Sequence, residues 1–258
     1  MRPTSDKLPM GVEVTVLGKG YILPSAAFSE LMVESRSSYD WPCGTGAAKS
    51  QKVIIDLENC IAELKQTFSE GCAHEIIVKV SEWAGNNARA HRAILAASQN
   101  EKKKMVDSLT ALENDASTRN GIDMLANLPG ISLVIATKVY RFFCPAVGAA
   151  VDRHASYFFN SLEVVSPESG KSKALEFRRE WAAASKNTSR LATYTPSGYL
   201  WNRDEYLGRY LPLLAKISKA LNELGISYLC AATGKQMAWR PTDIEMAAYF
   251  WWARNGAR

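Results

Sequence analysis

Leu128-Pro129-Gly130-Ile131-Ser132 opens an apolar stretch from Leu133 to Phe143, and Val151-Asp152-Arg153-His154 places an aspartate 22 residues after Gly130. These are the residues whose types and spacing could do chemistry. A Pro-Gly turn at a helix end exposes backbone N–H groups, because Gly130 can take a conformation that side chains forbid. The helix predicted to start straight afterwards points its own unpaired N–H groups and the positive end of its dipole the same way. A phosphate suits such a place, held by backbone with no reading of sequence. Asp152 stands at the start of the next predicted helix, where aspartate is favoured simply as an N-cap. A capping carboxylate can also face a ligand, so the two roles are compatible.

The elements that must position these residues are mostly helical. A short helix over Gly121–Asn127 leads into the turn. The stretch Leu133–Phe143 is apolar almost all round and must be buried. Cys144-Pro145-Ala146-Val147-Gly148 stops it, and Ala149-Ala150-Val151 brings the chain back. Upstream, Ile54, Leu57, Ile61, Leu64 and Phe68 recur at three- and four-residue steps, which predicts an amphipathic helix over 53–69. A second helix is predicted from Ala73 to Trp83, broken by Gly85-Asn86-Asn87, and a third from Ala88, with Arg89 and Arg92 on one side. Lys102-Lys103-Lys104 reads as a solvated helix face or as a phosphate contact, and 114–120 as a polar loop.

Downstream, 165–173 reads as a connection and 174–186 as a helix carrying Leu175, Phe177 and Trp181. Thr193–Asn202 reads as an aromatic-bearing loop, and Asp204–Leu224 as a long helix closed by Gly225. Pro241 precedes Thr242-Asp243-Ile244-Glu245, which fits a capping box, and then an apolar run through Met246, Tyr249, Phe250 and Trp252. At the other end, residues 11–23 alternate around Gly18-Lys19-Gly20 as a β-hairpin, and 35–51 read as loop. The strands expected are confined to the first fifth. The fold class expected is mainly α, with a β element and loop over 1–52 and a helical domain over 53–258.

Composition narrows the function classes. No apolar run approaches the ~20 residues that span a bilayer, and no signal-like segment follows Met1. The five cysteines are odd in number and form no C-x-x-C pair, which argues for free thiols in a reducing cytoplasm and against a zinc or iron–sulfur site. The net charge of +5 is compatible with a polyanionic partner without requiring one. Gly44-Thr45-Gly46-Ala47-Ala48-Lys49-Ser50 looks like a phosphate-binding loop, but a true one needs glycine where Ala48 and Cys43 stand.

Leu128–Leu162 resembles the helix-hairpin-helix DNA glycosylase superfamily, which includes the endonuclease III, adenine-mismatch and 8-oxoguanine enzymes. The match rests on Leu128-Pro129-Gly130-Ile131 for the hairpin, Val151-Asp152-Arg153-His154 for the catalytic turn within 149–154, and the interval between them. The resemblance implies a two-lobed helical fold and a double-stranded DNA partner with no membrane. It implies that Asp152 stabilises the positive charge building on the sugar as a flipped base leaves. The DNA-contacting set it implies is Leu128, Pro129, Gly130, Ile131, Ser132, Val134, Arg153 and His154, with Asn86, Asn87 and Arg89 as the turn that fills the gap left by the flipped base.

The chain departs from the family in three ways. Ser132 replaces the second hairpin glycine. Val134 stands where bifunctional members carry the Schiff-base lysine, and Lys138 lies one turn too far along to replace it. The cysteine-ligated cluster is absent. The implied activity is therefore monofunctional base excision, in repair or in bacterial genome defence, with no cofactor beyond a monovalent cation at the hairpin. The alternative is a non-catalytic DNA-binding protein on the same elements. Trp201, Tyr206 and Tyr210 either stack on an extruded base or, at helical spacing, fill core.

Overall fold

A computed structural model describes residues 12–16, 19–23, 26–41, 44, 46–85, 88–166, 170–173, 175–181, 189–192 and 195–255. In chain order, strands β1 (Val12–Val16) and β2 (Lys19–Leu23) and helix α1 (Ala26–Ser37) come first. Helices α2 (Ala47–Gln66), α3 (Glu70–Trp83), α4 (Ala88–Leu95), α5 (Gln99–Leu112), α6 (Thr118–Ala126) and α7 (Leu133–Phe143) follow. Then come α8 (Arg153–Asn160), four strands, β3 (Glu163–Ser166), β4 (Gly170–Lys173), β5 (Arg179–Trp181) and β6 (Ser189–Leu191), and helices α9 (Pro196–Glu205) and α10 (Leu211–Glu223). Strands β7 (Tyr228–Cys230) and β8 (Lys235–Met237) and helix α11 (Pro241–Asn255) complete the chain. The chain is mainly α, as its periodicities imply.

Two compact units result, Asp40–Ala150 and a discontinuous one made of Met1–Tyr39 with Val151–Arg258. The expected division at 52/53 is corrected by the strand pairing. β1 pairs with β2 as predicted, but it also pairs antiparallel with β3, joining Val14 to Val164 and Thr15 to Glu163. The N-terminal element therefore belongs with the second half of the chain.

Strands are not confined to the first fifth. The segment expected as a connection over 165–173 contributes to β3 and β4, which pair with each other. The helix expected over 174–186 is also absent among its described residues. Leu175 and Phe177 are buried two residues apart, a strand period. Asn160 and Asn202 act as surrogate strand partners. Phe177 N–H donates to Asn160 Oδ1 (2.8 Å) and its carbonyl accepts from Asn160 Nδ2 (2.9 Å). Arg178 does the same with Asn202, whose side chain is fully buried.

The aromatic loop expected over 193–202 is helical from Pro196, which occupies the first turn while Thr195 caps it by accepting from Gly198 N–H. Trp201 donates to the Glu176 carbonyl (2.7 Å) beneath the Arg178 guanidinium, and Tyr206 and Tyr210 are fully buried. The two tyrosines fill the interior of this unit, and Trp201 lies half-buried at its edge. The loop expected over 35–51 shrinks to the stretch between α1 and α2. The phosphate-loop lookalike within it includes the start of α2, where Asp40 accepts from Gly46 N–H and from the Ser50 hydroxyl.

In the discontinuous unit, α11 is fixed by a buried ionic cluster. Asp243 accepts from Arg36 Nε on α1 (3.0 Å), from the Tyr228 hydroxyl (2.9 Å), and from both Nε and the backbone N–H of Arg240 (3.0 Å each). Burial alone would push the Asp243 carboxyl up; the two guanidiniums outweigh it and hold the group below its usual range. The start of the helix also carries a bond that the predicted box did not include. Asp243 reaches back to accept from the Arg240 N–H, one residue before the helix starts.

Candidate nucleic-acid interface and carboxylate site

The hairpin lies wholly in the 40–150 unit. Ile131 N–H donates to the Leu128 carbonyl (3.1 Å), closing a turn with Pro129 second and Gly130 third at φ 80°. That is a type II turn, which requires a positive φ at its third residue. Leu128 and Ile131 are buried and anchor the turn, while Pro129 is exposed. Ser132 caps α7 by accepting from Ile135 N–H (3.5 Å). The first amides of α7, at Leu133 and Val134, have no partner within the helix. Lys138 is buried over the Trp83 ring.

Gly130 is closed in on a second side. A β-carbon there would stand 2.3 Å from the Ala90 carbonyl oxygen. The hairpin is thus seated on α4, and Arg89, exposed beside Ala90, shares that corner of the unit. Asn86 and Asn87 lie outside the described residues. Gly130→Ala combines a forbidden backbone region with a collision against backbone, and is expected to destabilise this unit by about 3 kcal/mol. It should also weaken salt-sensitive retention on duplex DNA; an unshifted urea midpoint would show the packing to be looser than described.

Asp152, Arg153 and His154 lie together in the other unit, where the chain enters it at Val151. Asp152 is the N-cap of α8, in extended backbone (φ −132°, ψ −170°), and Oδ1 accepts from Ala155 N–H at 3.0 Å. The cap uses one of its two oxygens. Arg153 is exposed and donates from Nη2 to His154 Nε2 (3.2 Å), which leaves the His154 proton on Nδ1. That Nδ1 is buried with no hydrogen-bond partner. Burial pushes the imidazole below its usual value, against the opposing pull of Asp152, so His154 is neutral at pH 7.

No known family model, curated protein or solved structure matches the chain. The site must be read from its own residues.

What the sequence missed is the wall that faces them. The His154 ring meets Tyr249 of α11 edge-on with centroids 5.0 Å apart, and Tyr157 stacks on Trp252 at 5.5 Å and 12°. Arg179 lies 3.6 Å above the Tyr157 ring and donates to the Ser156 hydroxyl. Tyr249 is raised well above an ordinary phenol, first by burial and then by the charges of Asp152 and Glu245. The signal was available: Glu245, Tyr249 and Trp252 fall at i, i+4 and i+7, one face of a helix.

Proposed function

We propose that the protein is a DNA glycosylase-like hydrolase. It holds duplex backbone through the 128–134 hairpin and hydrolyses the N-glycosidic bond of a flipped, damaged or modified base, with Asp152 balancing the charge on the sugar. The observation that carries the reading is a type II Pro-Gly turn feeding directly into open helix amides, followed 22 residues later by a half-exposed carboxylate whose cap engages one oxygen. The amides bind phosphate irrespective of sequence. The carboxylate is a negative charge that a cationic sugar nearby would gain from. Val134 at the lysine position makes the activity monofunctional, so strands are not cut by a Schiff-base route.

A second reading has its own support, since the bond from Ala155 N–H to Asp152 accounts for that aspartate as a cap alone. The two separate on one experiment: incubation with a panel of damaged and modified duplexes, phage-type modified DNA included, followed by heat or alkali to reveal abasic sites. Release from one class of duplex is the expected result. Salt-sensitive binding with no release from any of them would leave only the non-catalytic reading.

A further inference from the structure

The first turn of α8 gathers positive charge where a helix least favours it. Arg153 is its first residue, at the positive end of the helix dipole, and the only acid in 152–156 is the cap, Asp152. Arg179, the first residue of β5, is fastened to the same turn. Its Nη1 donates to the Ser156 hydroxyl (2.6 Å), which itself donates to the Arg153 carbonyl (2.8 Å), and Ser156 is fully buried. The Arg179 guanidinium carbon lies 3.6 Å from the centre of the Tyr157 ring, and that ring stacks in turn on Trp252. Held at both places, the guanidinium is positioned before any ligand arrives. Arg153 is exposed, and its one hydrogen bond among the described residues goes to His154, a neutral imidazole that offsets none of its charge. Burial first, with Arg153 adding to it, draws the Arg179 guanidinium below its ordinary value, against the pull of Tyr157 and Asp152. Two guanidiniums and the helix dipole thus stand against one carboxylate, and the turn is left net positive.

We propose that Arg153 and Arg179 together bind a single phosphodiester group of the DNA backbone on the first turn of α8. The inference rests on the glycosylase reading only for the ligand being DNA, and it needs no base release. A guanidinium presents paired N–H donors that match phosphate oxygens, and two guanidiniums can share one phosphate. A singly charged diester balances the excess of two guanidiniums over Asp152. It also relieves their mutual repulsion and their conflict with the dipole.

Binding of a plain duplex by the full chain, measured over a series of salt concentrations, tests this. Arg153→Gln and Arg179→Gln are each expected to weaken binding about tenfold. Either single variant should keep the wild-type slope of log affinity against log salt, because the remaining guanidinium still neutralises the phosphate. The double variant should lose about 0.9 from that slope, the value for one phosphate. Arg179→Lys keeps the charge and loses the fork. Combined with Arg153→Gln it should bind weakly at the wild-type slope, and this pair carries the test if Arg179→Gln proves unstable. A loss of about 0.9 in each single variant, adding in the double, would mean two separate backbone contacts and overturn the shared site. A lowered melting temperature in Arg179→Gln beside full binding by Arg153→Gln would make Arg179 a packing residue and overturn it too. Titration calorimetry with inorganic phosphate separates a backbone site from one for free phosphate. No saturation below millimolar phosphate is expected; micromolar binding that Arg179→Gln abolishes, with duplex binding untouched, overturns the proposal. Unchanged duplex binding in every variant also overturns it, and base release by the wild type would then leave the glycosylase reading standing. No duplex binding by the wild type at low salt would remove both together.

Discussion

Asp152→Asn is expected to lower base release by about 100- to 1000-fold while leaving DNA binding and stability essentially intact. The substitution separates the two roles of this residue. Asparagine is as good an N-cap as aspartate, and its side-chain oxygen can keep the 3.0 Å bond from Ala155 N–H. What it removes is a charge. If that charge balances a cationic sugar, the loss falls on the transition state and appears in the rate, with little change in affinity for substrate. Asp152→Ala gives the contrast, because it removes cap and charge together and should cost about 1 kcal/mol of stability as well. Single-turnover release of base, beside a melting curve and a retention assay, reads all three. Release by the asparagine variant at the wild-type rate would reduce Asp152 to a cap.

The largest loss of stability is expected from Asp243→Ala, about 3–5 kcal/mol. It strips the buried Arg36 guanidinium of the carboxylate it donates to and leaves that charge in an interior position. The same change removes an acceptor from the Tyr228 hydroxyl and the cap bond from Arg240 N–H. Arg36→Ala should cost less, because Asp243 keeps Arg240, which is partly exposed and adjoins solvent. Replacing both partners with apolar residues of similar size should recover much of the loss, since the pair's own desolvation is then avoided. Urea midpoints of the two single variants and the double variant give the comparison; equal losses in the two singles would mean that Arg240 contributes nothing. Because α11 carries Tyr249 and Glu245, Asp243→Ala should also loosen the wall facing His154.

Local signals made half of the site legible. The Pro-Gly turn, the all-round apolar helix behind it and the aspartate cap all act within a few residues, and the structure places α7 over Leu133–Phe143 as predicted. The strands β3 to β6 were illegible for the opposite reason. β3 takes its place from β1, some 150 residues away, and Leu175–Arg178 is held extended by two asparagine side chains from distant helices. Nothing in Gly170-Lys171-Ser172-Lys173 announces a strand. The C-terminal helix shows a subtler failure. Thr242 to Glu245 fits a capping box by spacing alone, and the pattern cannot reveal that Arg36, 207 residues from Asp243, donates to it.

The interrupted unit also sets an order of assembly. Residues 40–150 form a contiguous stretch, so the hairpin can be completed as soon as that stretch leaves the ribosome. The other unit has to wait. Bringing Arg36 to Asp243 closes a loop of 207 residues, at an entropic cost of about 5 kcal/mol for a fully flexible chain. Folding of the intervening residues shortens that loop and lowers its cost. A nascent chain therefore holds its Pro-Gly turn before α11 exists to place Tyr249 against His154. The turn comes first, and the aromatic wall beside His154 is complete only once α11 has been made.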